Sequence, residues 1–425
     1  MFDAPIEDKR IMRFLPSAIV HFSLRGMGIE ATTPNIIKAF LVLNCILLLA
    51  AVYLWEKICD KLNIPGQGRW IGFLALFVNF ATVKLYAYYP ILTDASAFFL
   101  GLLLAWFFVS NSNFGVLMIA VIGAFTWPTL LYTGCILFLF PRKKMETTDT
   151  KDHKTIGSWM AIGGTLLFSF FAFSFLDRDR TEVVDYSITP ALIPWATGIL
   201  CIYIGMSFFY LLKKISLHSV TQYFASVNWL IFGSKCIVVS AGYWFYSRFI
   251  SSHSNIVLSQ FSSSHSYLTF LICSIRPLEF LVMAVIYWGP IFFLAIRFWP
   301  KIVQTISSYG PGMITFVSIC ILFFMETESR SSTDMHPLMV VVIVAALKEV
   351  ELSRAAMGWF TALSVILTKI WIPINKDGKF MEHIYFMNFG PINTNKIFYA
   401  EMACVIPAMI LFFYLVRANR QIEKS

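Results

Sequence analysis

Residues 95–141 read ASAFFLGLLLAWFFVSNSNFGVLMIAVIGAFTWPTLLYTGCILFLFP and contain no Asp, Glu, Lys or Arg. A helix needs about 20 mostly apolar residues to cross a bilayer, and this stretch is far longer. Gly123 and the Trp127-Pro128 pair interrupt it, and proline breaks helices. We interpret 114–140 as two short helices that meet inside the membrane, where protein or a cavity must satisfy the free backbone groups.

The composition of the whole chain extends this interpretation. Of the 425 residues, 58% are hydrophobic, 17% are aromatic and 13% are charged, and that charged share is about half of what a soluble domain carries. A single water-soluble core does not absorb so much apolar surface. We therefore predict an all-α, polytopic transmembrane protein. A soluble enzyme, a secreted disulfide scaffold and a nucleic-acid-binding domain are excluded.

The apolar runs predict about 11–13 membrane segments, one of them broken, in a single multi-span domain over residues 36–425. The segment 336–347 is the shortest of them. The candidate spans are 36–55, 70–88, 95–110, the compound segment 114–140, 158–176, 193–212, 227–249, 267–296, 311–325, 336–347, 355–372 and 401–416.

Residues 1–35 are predicted to form an N-terminal arm on the outer face of the membrane. The stretch 14–29 has an apolar face and a polar face, which is typical of a helix lying flat at the interface. Two explanations fit an arm placed outside. Either a further span precedes the arm, which we favour, or 14–29 dips into the membrane as a half-helix.

The distribution of Lys and Arg predicts the orientation of the chain. Cytoplasmic loops of membrane proteins carry an excess of these residues. One set of alternating loops carries 17 of the 33 Lys and Arg residues, and we place this set in the cytoplasm; it comprises 56–69, 141–157, 213–217, 297–303, 348–354 and 417–425.

Charged and polar side chains then collect on the predicted outer face. The arm carries Asp3, Asp8, Arg10 and Arg13, the turn at 86–94 ends in Asp94, and another turn spans 326–336. Carboxylates next to guanidinium groups at one face of a membrane suit a phosphate-bearing substrate and a proton-accepting base. If these turns form one pocket, Asp94 and Arg330 should lie together, and Arg13 should face them.

Structural roles compete with these functional ones. Asp94 is also placed to cap the helix that begins at 95. Arg276 and Glu279, three residues apart, are positioned to neutralise one another inside the membrane. Lys84 and Lys369 lie near the outer ends of their spans, where long basic side chains snorkel to the interface. Glu328 and Arg330 form a possible structural pair at a helix end.

Three short motifs resemble bacterial polytopic GT-C glycosyltransferases. Residues 13–16 (RFLP), followed by a short helix, resemble the Arg-x-Leu-x-Pro segment after the first outer loop of that family. Residues 89–94 (YPILTD) are similar to its Thr-Asp turn. Residues 328–330 (ESR), with Pro337 behind them, resemble its late Glu-x-Arg and Pro turn. All three motifs fall on the predicted outer face.

The resemblance implies a mannosyltransferase-like enzyme that takes a sugar from a polyprenyl-phosphate donor and transfers it, with inversion, to a lipid, glycan or protein acceptor. The family's general base is an acidic residue in its first outer loop, and a divalent metal occurs in the family, although no residue here fixes one. A bacterial inner membrane and no nucleic-acid partner follow. The implied catalytic residues are Asp8, Asp3 and Asp94, and the implied substrate-binding residues are Arg13, Arg10, Tyr89, Thr93, Glu328, Arg330 and His336.

Two other function classes compete with the enzyme. One is an envelope polysaccharide transporter or flippase, and the other is a non-catalytic membrane subunit of a glycan-assembly complex. A transporter is expected to show repeat symmetry and paired broken helices in corresponding halves of the chain. The sequence indicates one break and no internal repeat, which favours the glycosyltransferase.

Overall fold

The structure, a computed structural model, describes residues 13–140, 142, 156–174, 189–213, 215, 217–253, 275–325, 329–371 and 395–422. Across these residues the chain forms α-helices with short π-helical and 3-10 segments, and no β-strand. The predicted all-α class is therefore confirmed for the part of the chain that is described.

Sixteen α-helices are numbered here in chain order within the described residues. They are α1 (Phe14–Gly26), α2 (Thr33–Leu62), α3 (Gly66–Phe77), α4 (Asp94–Val109), α5 (Asn113–Ala124), α6 (Thr129–Leu139), α7 (Ile156–Ser174), α8 (Ile193–Leu212), α9 (Leu217–Ala225), α10 (Trp229–His253), α11 (Glu279–Trp288), α12 (Ile291–Tyr309), α13 (Pro311–Phe323), α14 (His336–Ala346), α15 (Arg354–Leu367) and α16 (Asn395–Ile422), with the one-turn helix Tyr86–Tyr88 left unnumbered.

Several helices are compatible with a multi-pass membrane protein by length and composition. Four are long and apolar enough to cross a membrane, namely α2, α7, α8 with its preceding 3-10 turn, and α16. Three bent helix pairs raise this number to seven if each pair is one span. The predicted 11–13 segments also counted apolar helices of 10–17 residues, which are too short to cross about 30 Å of hydrocarbon alone.

The predicted span 267–296 and the predicted loop 297–303 are both wrong in their described parts. Residues 279–309 form α11 and α12, which meet at an angle of 114°, because Gly289 adopts a φ of 85° and Pro290 follows it. Helix α12 continues through 297–303, with a kink at Phe298. Arg297 and Lys301 suggested a loop, but they lie on the less buried side of an amphipathic helix.

Two further predicted spans are bent where a straight helix was expected. The segment 227–249 corresponds to α10, and the short helix α9 precedes it at an angle of 89°. The segment 70–88 bends by 47° between α3 and Ala81–Tyr88. Asn79 causes this second bend, since its side-chain nitrogen donates to the carbonyl of Ala75 (2.8 Å) and its oxygen accepts from the Thr82 amide (3.0 Å).

The break predicted within 114–140 is present. Helix α5 ends at Ala124 and α6 begins at Thr129. The Leu15 amide, in the first turn of α1, donates to the carbonyl of Phe125 in this break over 3.1 Å. The protein thus satisfies a backbone group that the break frees, as an apolar environment requires. Helix α1 is thereby fixed with its first residue beside the break.

The helices pack around one large apolar core, and two ends of this body can be distinguished. The Asp94 end is where α4 begins at Asp94, beside Arg330. The Arg142 end is where α4 finishes, and there the Arg142 guanidinium donates to the Val109 carbonyl (3.3 Å) and lies over the Tyr309 ring.

Loops that the sequence predicts on one side of the membrane meet one another in the structure. The Gln67 side chain and the Leu352 backbone exchange two hydrogen bonds of 3.0 and 3.3 Å. The Gly157 amide donates to the Ile215 carbonyl over 3.1 Å. The predicted sets of loops are thus consistent with the packing, whereas the side of the membrane that each set faces stays a prediction.

Candidate functional site

A buried asparagine positions the turn that leads to Asp94. Asn44 lies in the middle of α2 and is 4% exposed. Its side-chain nitrogen donates to the carbonyls of Tyr86 (3.2 Å) and Pro90 (3.0 Å). These bonds hold the one-turn helix Tyr86–Tyr88 at its first residue and the turn that follows it at Pro90. The chain therefore enters α4 at a fixed place relative to α2.

A second turn, 329–335, supplies Arg330. It begins as the 3-10 helix Ser329–Ser332 and continues with bonds from the Thr333 amide to the Arg330 carbonyl (3.1 Å) and from the Met335 amide to the Ser332 carbonyl (3.0 Å). The Trp288 indole donates to the Ser329 carbonyl (3.2 Å) and the Ser332 hydroxyl (3.3 Å). Helix α11 thus stabilises this turn through the two hydrogen bonds of Trp288.

The turn 329–335 presses directly against α4. A Cβ atom placed on Gly101 would lie 2.1 Å from the Asp334 carbonyl oxygen. Only glycine leaves room for a backbone approach this close. The contact sets the distance between the two elements that carry Asp94 and Arg330.

Asp94 and Arg330 form an ion pair at this junction. Nε of Arg330 lies 3.6 Å from Oδ1 of Asp94, and the side chains are 16% and 1% exposed. The helix cap falls at Thr93, without a side-chain hydrogen bond, and neither carboxylate oxygen of Asp94 accepts a hydrogen bond from a described residue. The structure thus does not give Asp94 the capping role that was considered for it. Its negative charge faces the guanidinium.

Arg13 approaches the same turn from α1. Its guanidinium lies 4.0 Å from the centroid of the Trp127 ring, at the break between α5 and α6. Burial raises the pKa of the Asp334 carboxyl to about 7, and the Thr129 hydroxyl and the positive charge of Arg13 oppose this rise only in part. Asp334 is 1% exposed, and among the described residues neither of its carboxylate oxygens has a hydrogen-bond partner of standard geometry. A second carboxylate and a second arginine thus adjoin the first pair.

Hydroxyl groups surround the two carboxylates. The Tyr86 phenol is buried beside Asp94, Tyr287 and Thr333, and among the described residues its oxygen has no hydrogen-bond partner of standard geometry. Buried polar atoms are normally well satisfied by protein, water or ligand, so a cluster of such incompletely satisfied atoms is typical of a functional site. The arrangement concentrates acceptors and hydroxyls beside two arginines.

The remaining described candidates occupy different positions around this site. Burial, with the neighbouring Tyr88 phenol, raises the pKa of Tyr89, so this phenol stays protonated at neutral pH. Thr93 precedes Asp94 directly and is buried. His336 stacks on Trp288 at 4.1 Å between centroids, and its Nε2 lies 3.1 Å from the Ala75 carbonyl oxygen.

An apolar cavity of about 590 Å³ lies next to this site. Among the predicted site residues, His336 lines it, and Asp94 and Arg330 do not. The expected meeting of Asp94 with Arg330 is thus seen, but not inside this cavity. The candidates Asp3, Asp8, Arg10 and Glu328 lie outside the described residues.

Other charged residues of the predicted spans are held in structural pairs. Arg276 and Glu279 are 3.2 Å apart and both buried, so the pairing expected from their spacing is present. Lys369 does not snorkel freely, because its ammonium lies 2.9 Å from Oε1 of Glu401. Lys84 donates to the carbonyl of Lys369. These contacts fasten α15 and α16 to the bent segment after α3.

No three His, Cys, Asp or Glu side chains converge anywhere in the described part of the chain. The divalent metal that the family resemblance allowed is therefore not assigned to any described residue.

Sequence reasoning missed several residues that build the site. Asn44 was recognisable from the sequence, since it is a lone amide in a long apolar run. Such polar residues inside a membrane are often functional. Asp334 appeared in the sequence only as one charge of an outer turn. Nothing in the sequence indicated the roles of Gly101 and Trp288, because these roles depend on contacts with the turn 329–335.

Comparisons of the chain with protein-family models, with curated proteins and with solved structures gave no match.

Proposed function

We propose that the chain is an integral membrane glycosyltransferase of the GT-C type. It would move a sugar from a polyprenyl-phosphate donor to a lipid, glycan or protein acceptor at the outer face of a bacterial inner membrane. The observation that carries this proposal is the contact between Asp94 and Arg330 over 3.6 Å. These residues come from two of the three motifs that resemble the family, and far-separated sequence segments contribute them.

The proposed reaction is a displacement at the anomeric carbon of the donor. The acceptor hydroxyl attacks this carbon, its proton passes to a carboxylate, and the bond between the carbon and the phosphate oxygen breaks. The prenyl phosphate leaves with the bonding electron pair. A carboxylate poised for proton transfer contributes typically 10²–10⁴-fold to a rate. Asp94 is the described carboxylate proposed for this role, and Asp3 and Asp8 stay candidates outside the described residues.

Arginines are proposed to bind the phosphate. A guanidinium presents paired donors that match phosphate oxygens, and it stays charged in an apolar environment. Arg330 and Arg13 lie next to Asp94 and Asp334 respectively. In this arrangement the arginines would balance the carboxylates before the donor binds and stabilise the departing phosphate during transfer.

Sugar transfer in membranes tests the proposal. Membranes containing the full chain are supplied with polyprenyl-phosphate sugars, and transfer to endogenous acceptors is followed by the label on the sugar. Transfer with at least one donor that is abolished by the Asp94→Asn substitution is the expected result. The absence of transfer with every lipid-linked donor, in well-expressed protein, would remove the enzyme assignment.

A transporter or flippase is the second candidate, because the chain contains more broken helices than its sequence indicated. Three helix pairs are bent by 47°, 89° and 114°, in addition to the break between α5 and α6. Discontinuous helices frequently line substrate sites in transporters. Movement of a labelled lipid-linked sugar from one leaflet of a vesicle membrane to the other, without transfer of its sugar, would support this candidate.

A further inference from the structure

The apolar cavity next to the site lies between several helices and has positive charge at its border. Helices α8, α11, α12, α13 and α14 surround it, and the described residues that line it include no Asp or Glu. Ile202, Met206 and Ile296 belong both to its lining and to the exposed apolar surface of the helices. The cavity is therefore a groove that opens sideways on a surface that a bilayer would cover, and we call it the α8–α12 groove.

Helix α12 contributes one cationic group and one hydrogen-bond donor to the lining of the α8–α12 groove. The kink at Phe298 places Arg297 and Trp299 in the lining. Arg297 has no ion pair with any described residue, and the buried Trp299 indole nitrogen has no hydrogen-bond partner there. A buried donor without a partner is costly, so a ligand or water is expected to satisfy it.

A second cation lies beside a lining residue of α8. Tyr210 of α8 lines the groove, and the Lys213 ammonium lies 4.2 Å from the centroid of the Tyr210 ring. Arg297 and Lys213 thus form a positive border of the groove, whose remaining lining is mostly apolar and includes Ser207 and His336 as polar groups. A molecule that matches both features has a hydrocarbon chain attached to an anionic head.

We propose that the α8–α12 groove binds an anionic glycerophospholipid of the bilayer, with an acyl chain in the groove and its phosphate at Arg297. Volumes of about 300–1,000 Å³ are usual for small-molecule sites, and the groove falls in this range. The positive borders favour an anionic lipid over a zwitterionic one. The proposal goes beyond sugar transfer and applies equally if the chain is a transporter.

Lipid retention by the full-length protein in detergent tests this assignment. Native mass spectrometry measures binding of phosphatidylglycerol, phosphatidylethanolamine and a polyprenyl phosphate. Arg297→Gln should weaken phosphatidylglycerol binding about 10- to 150-fold, since a hydrogen bond to a charged group contributes about 1.5–3 kcal/mol. It should weaken phosphatidylethanolamine binding less, because the ammonium of that headgroup already balances its phosphate. Ala295→Trp, on the lining of the groove, should weaken binding of both phospholipids.

Arg248→Gln is the matched control, because Arg248 also lies over an aromatic ring, that of Trp244, but does not line the groove. It should bind all three lipids like the unchanged protein. Wild-type phosphatidylglycerol binding in both Arg297→Gln and Ala295→Trp would overturn the proposal. Displacement of bound phosphatidylglycerol by an equal concentration of polyprenyl phosphate would also overturn it, because the groove would then belong to the isoprenoid lipid.

Discussion

Nε of Arg330 lies 3.6 Å from Oδ1 of Asp94, in a place where the aspartate is almost completely buried. A buried charge is costly unless an opposite charge compensates it. The turn 329–335 brings this compensation to the first residue of α4, and Gly101 permits the close approach. The pair therefore depends on how two distant segments pack.

Replacing Asp94 tests whether its negative charge serves the proposed transfer. Asp94→Asn keeps the shape of the side chain and should lower sugar transfer at least about 100-fold, if the carboxylate takes the proton. Initial rates of transfer in membranes, corrected for expression, measure this effect. Asp60→Asn is the control, because Asp60 forms an exposed pair with Arg69 at 2.7 Å. Full activity of Asp94→Asn would show that the residue is structural.

Replacing Arg330 with lysine tests the geometry of phosphate binding. Arg330→Lys keeps the positive charge but loses the planar, two-pronged donor group, so transfer should stay impaired. The matched change is Arg69→Lys, which alters ion pairs with the exposed Glu56 and Asp60 away from the site, and such surface pairs are expected to contribute little. Rates across donor concentrations separate a raised KM from a lowered kcat. Wild-type kinetics in Arg330→Lys would contradict a role in phosphate binding.

The support that Trp127 gives to Arg13 is open to a similar test. A cation over an aromatic ring is stabilised by about 0.5–2 kcal/mol, so Trp127→Leu should raise the KM for the donor about 2- to 30-fold. Trp244→Leu removes the ring under Arg248 in an exposed place, and its KM should not change. Equal KM values in the two variants would argue that Arg13 does not need Trp127.

Gly101 should not tolerate a larger side chain. Gly101→Ala brings a methyl group against the Asp334 backbone, and overpacking of this kind costs about 1–3 kcal/mol. A lower Tm in detergent and reduced transfer are expected together. Gly198→Ala in α8 has open space around it and should be neutral or stabilising by up to about 1 kcal/mol. An unchanged Tm for Gly101→Ala would mean that the turn moves aside without cost.

Asn44 should stabilise the turn before Asp94 through its two carbonyl partners. Asn44→Leu leaves these buried carbonyls without a donor, at about 1–3 kcal/mol for an unsatisfied group. Thermal unfolding in detergent measures the loss. Asn35→Leu, at the exposed start of the same helix, removes one solvent-accessible bond to Glu30 and should have little effect. Equal stability of the two variants would contradict the role of Asn44.

The orientation in the membrane can be measured by cysteine labelling. In a variant without native cysteines, position 91 is exposed at the Asp94 end, and position 66 has open space at the start of α3. A membrane-impermeant reagent added from outside should label Ile91→Cys and spare Gly66→Cys. Positions 182 and 146, which lie outside the described residues, should behave as the same pair. The reverse pattern would place the proposed site in the cytoplasm.

The sequence by itself determined the all-helical class and most helix positions. Long uncharged runs report where apolar helices lie, and residues such as Pro128 break helices through local geometry. The break between α5 and α6 was predictable for this reason. The error at 297–303 arose because Arg297 and Lys301 are charged, and charge does not distinguish a loop from the polar side of an amphipathic helix.

Only the tertiary structure decided how the site is assembled. The motifs singled out Asp94 and Arg330, but their 3.6 Å contact depends on the turn 329–335 packing against Gly101 and on Asn44 holding the preceding turn. Such contacts join segments that are far apart in the chain, and neither periodicity nor local propensity encodes them. The same holds for the α8–α12 groove, because five helices must pack together before it exists.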